Sequence, residues 1–198
     1  MSMFCYQCQE TAGNEACTKL GVCGKTDSTS NLMDVLIFLL KGIAVYAKRL
    51  QQLGISENNH GHFIAKALFL TVTNVNFDDN RIIEFIRQAF QIRDALRDAF
   101  LNAYEQRNGT SFSGKLPLAA TWSSNDINDW HKTAPEVGVL SSKDDTSLTL
   151  CELLIIGLKG IAAYSDHAMV LGYEDKNVNS FFIEALASTT EDLPVSEM

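Results

Sequence analysis

The chain has 198 residues, of which 46% are hydrophobic and 20% charged, with a formal net charge of -8. That is long enough to bury a core and too apolar for a disordered chain, while the acidic balance and the lack of any Lys/Arg cluster exclude nucleic acid as a partner. The opening MSMFCYQCQE has no basic stretch leading into an apolar run, and the longest uninterrupted apolar stretch, Val35 to Leu40, is closed by Lys41, far short of the roughly 20 residues a bilayer requires. A cytoplasmic chain with no membrane partner is therefore expected.

Residues 1–27 show no helical period and hold Cys5, Cys8, Cys17 and Cys23 in the spacing C-x2-C-x8-C-x5-C. Five cysteines in a reducing compartment are an odd and unsuitable set for disulfides, so metal binding is the better reading. Thiolates suit either zinc or an iron-sulfur cluster, and the wide second gap departs from the paired short knuckles of structural zinc sites. A zinc-stabilised or an apo helical interaction module remains the alternative at this point. Gly13, Gly21 and Gly24 sit where the loop must turn tightly or let backbone N–H groups approach sulfur.

Apolar residues then recur at helical spacing from about Asn31 to Leu53, with Ser30 or Asn31 as the cap and Gly54 as the stop. A second helix is predicted from His60 to Asn74. A third runs from Asp78 or Asp79 to Asn108, ended by Gly109, with Ile82, Ile86, Phe90, Leu96, Phe100 and Tyr104 on one stripe. These make a first three-helix bundle over residues 28–109. Residues 110–145 read as a connector with one short helix near Asn125 to Thr133.

After the connector the pattern repeats. Leu32 to Gly54 reappears 118 residues later as Leu150 to Gly172, sharing L-K-G-I-A-x-Y, and the same offset matches Phe63, Ala67, Leu68 and Thr71 to Phe181, Ala185, Leu186 and Thr189. The expected fold is all-α: two tandem three-helix-bundle repeats preceded by the cysteine loop, the second bundle (146–198) truncated because its third helix should begin near residue 196. Apolar faces around Ile155, Ile161, Phe182 and Leu186 would then be partly uncovered, predicting further polypeptide or a homo-oligomer. Cys151 reads as a small buried hydrophobe, and His60 and His62 as solvent-facing or capping residues. Lys41 and Lys159 read as snorkelling side chains, and Lys19 and Lys25 as solvated neighbours of the loop that could offset cluster charge.

The opening F-C-Y-Q-C-Q-E-T, the C-x8-C-x5-C-G-K continuation, L-L-I-I-G-L-K-G-I-A-A-Y and E-A-L-A-S-T-T-E-D-L together resemble the N-terminal domain of the hybrid cluster proteins, also called prismane proteins or hydroxylamine reductases. The resemblance covers essentially the whole chain. It implies a helical first domain of two three-helix bundles followed by two α/β domains, in a cytoplasmic oxidoreductase that reduces hydroxylamine to ammonia, with nitric oxide also proposed as a substrate. It also implies that Cys5, Cys8, Cys17 and Cys23 hold a 4Fe-4S cluster, as in the class found in anaerobes, and that a redox donor protein supplies electrons. The hybrid 4Fe-2S-2O cluster belongs to His, Glu and Cys residues of the missing C-terminal domains. No residue here matches them, so this chain alone is expected to be inactive and to carry no catalytic residue.

Overall fold

The computed structural model describes residues 3–8, 11–55, 60–72, 74–139 and 145–191. They form seven α-helices: α1 (Asp27–Gln52), α2 (Gly61–Leu70), α3 (Asp79–Asn108), α4 (Leu118–Thr121), α5 (Ile127–Val137), α6 (Asp145–Val170) and α7 (Lys176–Ser188). Among the described residues there is no strand, and the all-α expectation holds. The anticipated helix near residue 196 lies outside them.

Helix α1 begins four residues before the expected start. The Thr26 side chain accepts the Thr29 N–H, and Asp27 in the first turn and Arg49 in the last complement the helix dipole, so the polar Asp-Ser-Thr-Ser run is helical rather than loop. Its end falls where Gly54 adopts φ 82. Helix α3 has the expected bounds, with Asp78 accepting from the Asn80 N–H and Gly109 at φ 70. Helix α5 runs further than expected, and α4, a single turn following Pro117, was not anticipated.

Helix α1 is the axis of the fold. It packs against α3, α4, α5 and α7, and buried residues occur all round it, as in a helix fully enclosed by a core. The duplicated segments pack reciprocally. Each segment's first helix packs far more on the other segment's second helix, α1 on α7 and α6 on α2, than on its own, while α1 lies most extensively against α3. Helices α2 and α7 cross at equivalent positions, where a Cβ on Gly61 would collide with the Asn179 side chain.

This exchange corrects the expected exposed face. Ile155, Phe182 and Leu186 are buried, because the other copy covers them, whereas Ile161 is exposed as expected; with it Leu153, Tyr164, Val170, Leu171, Tyr173 and Phe181 stay open on α6, α7 and the turn between them. A second correction concerns length. Helix α1 and residues Thr146–Val170 of α6 are each long and apolar enough to cross a membrane by size and composition, which an uninterrupted-run criterion missed because isolated Lys and Glu residues break the run. The apolar window of α1 is 94% buried, as in a core helix, and that of its duplicate α6 only 22%.

Candidate metal-cluster site

The loop before α1 is shaped by its own backbone and then fastened to three helices. Cys5 and Cys17 form an antiparallel bridge, exchanging N–H to O bonds of 3.0 and 3.1 Å. A turn follows in which the Gly24 N–H reaches the Gly21 carbonyl at 2.8 Å and the Gly21 N–H reaches that of Lys25 at 2.8 Å. Gly24 needs its left-handed φ of 94 for this. Met3, Cys5 and Cys17 make a small buried cluster beneath.

Two polar ties hold the loop in place, and a third fixes the start of the helix that follows it. The Lys25 ammonium donates to the Thr71 and Val72 carbonyls, 3.2 and 3.4 Å away, at the C-terminal end of α2, where the helix dipole favours a cation. The Gln7 amide donates to Asp34 of α1, and its carbonyl accepts from Lys159 of α6. Ser28 and Thr29 donate to Asp79, joining the start of α1 to that of α3.

As a result all four cysteines, Cys5, Cys8, Cys17 and Cys23, line one cavity together with Gln7 and Lys25. Cys5 and Cys17 are buried, Cys8 and Cys23 half-buried. No three His, Cys, Asp or Glu side chains among the described residues gather round a single-ion position. Several features fit a thiolate-held group larger than one ion. The Val22 N–H points at the Cys17 sulfur at 3.4 Å, the kind of bond that stabilises ligating sulfur. The buried Ser30 hydroxyl beside Cys5 has no partner at full hydrogen-bonding geometry, leaving a donor for a thiolate or sulfide. A Cβ at Gly21 would press to 3.1 Å from the Cys23 sulfur, so glycine keeps that side of the cavity open.

Burial pushes the Cys5 thiol up, with Ser30 and the Gln7 backbone pulling against it. This thiol is therefore protonated until a metal binds, and metal binding must release the proton. Burial also lowers Lys25, opposed by the Cys23, Cys5 and Cys8 charges.

Two lysine readings are corrected here. Lys25 is 1% exposed, and Lys159 is 4% exposed with its ammonium on Gln7 rather than reaching for water. The reason is that each finds buried oxygen acceptors, which removes the need to snorkel. Cys151 is half-buried rather than fully buried, with its thiol pushed up by that burial, and no other cysteine joins it in the cavity. His62 is exposed, as expected. Missed altogether were Gln7 and Asp34. The available signal was the 118-residue offset that pairs Asp34 with Glu152, placing carboxylates at one position of two otherwise apolar helices.

The fold and site together define an all-helical domain that mounts a four-cysteine loop on a buried polar frame. The chain belongs to the Prismane/CO dehydrogenase family, whose model matches residues 3–196. Proteins of this family bind iron-sulfur clusters. The chain is 52% identical over 192 residues, 97% of its length, to a hydroxylamine reductase of Halothermothrix orenii, and 49% identical over 196 residues, 99% of its length, to one of Nitratidesulfovibrio vulgaris. Against the hydroxylamine reductase of Petrotoga mobilis it is 45% identical over 201 residues, with the whole chain covered. It spans only 35%, 35% and 37% of these relatives' lengths.

Proposed function

We propose that this chain is the electron-uptake part of a cytoplasmic hydroxylamine reductase, holding a 4Fe-4S cluster on Cys5, Cys8, Cys17 and Cys23. The observation that carries the reading is the single cavity lined by all four sulfurs. The names of the relatives support the activity assigned to the whole protein. When bound, such a cluster accepts and returns one electron at a time.

The residues of the chain divide the remaining work. The four thiolates fix the group, the Val22 N–H and the Ser30 hydroxyl are placed to share charge on sulfur, and Met3 beneath the loop keeps water away. Exposed Leu20 and Val22 leave the outer side of the loop open to a redox donor protein. In the whole protein, two electrons and two protons convert hydroxylamine to ammonia and water at a centre built by the residues this chain lacks.

The test is anaerobic reconstitution with iron and sulfide, followed by metal and acid-labile sulfide counts. Equal iron and sulfide, four of each per chain, is the expected result. A colourless protein with one zinc would replace this reading by a structural zinc module, and one with no metal would leave a helical scaffold alone.

A further inference from the structure

Gln7, inside the C-x2-C step, lines two cavities at once. One holds the four cysteines; the other holds Asp34, Lys41 and Glu152. The second cavity joins matching positions of the two similar segments: Asp34 and Glu152 lie 118 residues apart at equivalent places on α1 and α6, as do Lys41 and Lys159. Burial acts most strongly on both acids, and among the charges around them Lys159 pulls most on Asp34 and Lys41 most on Glu152. The cysteine loop breaks this symmetry by inserting the Gln7 amide between Asp34 and Lys159.

We propose that Lys159 is a positioning residue for the cluster: its buried ammonium, clasped to the Gln7 carbonyl beneath the cysteine cavity, makes the bound group easier to reduce. The proposal rests on the cluster reading above. One-electron reduction by an external donor adds one negative charge to the group and moves no other atom. A cation fixed in a medium of low polarity lowers the energy of that added charge, while a carboxylate on the same amide raises it. Geometry supports the assignment, because Lys159 reaches a residue 152 positions away and places its charge on a ligand-flanking side chain instead of in water. Burial lowers Lys159 only to about 8, so it remains largely charged at neutral pH. Lys25, which lines the cysteine cavity and is the strongest charge acting on Lys159, is already engaged by the carbonyls at the end of α2 and is left unchanged in the test.

The experiment is an anaerobic redox titration of the reconstituted chain at neutral pH, comparing wild type with Lys159→Met, Lys159→Arg and Asp34→Asn. Helix content and iron-to-sulfide ratios are measured on each. We expect Lys159→Met to shift the reduction potential to more negative values, Lys159→Arg to restore most of it, and Asp34→Asn to shift it the other way. A role in packing alone has no reason to give opposite signs. Potentials that stay at the wild-type value in loaded, folded variants, or move in one direction for both charge removals, overturn the proposal. If Lys159→Met does not load, the sign of the Asp34→Asn shift decides. A wild-type chain that takes up no cluster overturns the function reading itself, and this inference with it.

Discussion

Helices α1 and α6 carry the same L-K-G-I-A-x-Y frame, yet the molecule treats them as opposites. Tyr46 is 1% exposed and donates to the Ala120 carbonyl at 3.1 Å, whereas its counterpart Tyr164 is 82% exposed. Gly42 is pressed against the Ala119 carbonyl and the Arg93 side chain; Gly160 has nothing within 4 Å. The lysines invert the trend, for Lys41 is half-exposed on the enclosed helix and Lys159 is buried on the open one. A repeated motif therefore specifies a helix and its inward face, but what each position does is decided by the elements that arrive around it.

The two glycines offer the sharpest way to break this comparison. In Gly42→Ala the new methyl meets backbone that cannot yield, so we expect a loss of about 2–4 kcal/mol in denaturant melts. Gly160→Ala should instead gain roughly 0.5–1 kcal/mol, from helix propensity with no clash. Equal effects at the two sites would mean that their surroundings do not differ as described.

The buried acid comes next. Asp34 is pushed up to about 7 from an ordinary 3.8, chiefly by burial, with Lys159 opposing. Because its folded-state value is raised, the stability this group contributes is full below about 3.8 and is lost as pH rises through about 7. Asp34→Asn, which has no proton to lose, should gain on the wild-type chain across that interval, by on the order of 1–3 kcal/mol, and level off above it. Thermal melts of the metal-free chain at several pH values check this; a constant difference would show that Asp34 is not buried as an acid. Glu152, also raised by burial, should behave likewise when changed to Gln.

The tyrosines give the smallest effect. Tyr46→Phe leaves the Ala120 carbonyl without its donor and should cost about 1 kcal/mol. Tyr164→Phe should leave the melting curve unchanged, since the hydroxyl stands in water.

Local chemistry explains how far the sequence could be read. Asp78 and Gly109 bracket α3 because capping depends on the residues at the helix ends, and the 118-residue offset located α6 and α7 because a repeat leaves its helix period behind. The cysteine spacing led to one cavity lined by all four thiols. What stayed hidden depends on distance along the chain. The exchange of partners between copies, the burial of Ile155 and Phe182, and the engagement of Lys25 and Lys159 all arise from segments that meet only in space. A lysine on an apolar helix has the same local signature whether its ammonium ends in solvent or on a glutamine carbonyl.

The tie between Gln7 and Lys159 joins residues 152 positions apart. During synthesis the four cysteines, all within Cys5 to Cys23, are made well before the helix that clasps their loop, which starts only at Asp145. Such distant closures come late in folding. The loop is thus finished only well after its own cysteines have been made, and iron delivered to a nascent chain would meet four loose thiols, with the cradle taking form only after α6 has docked.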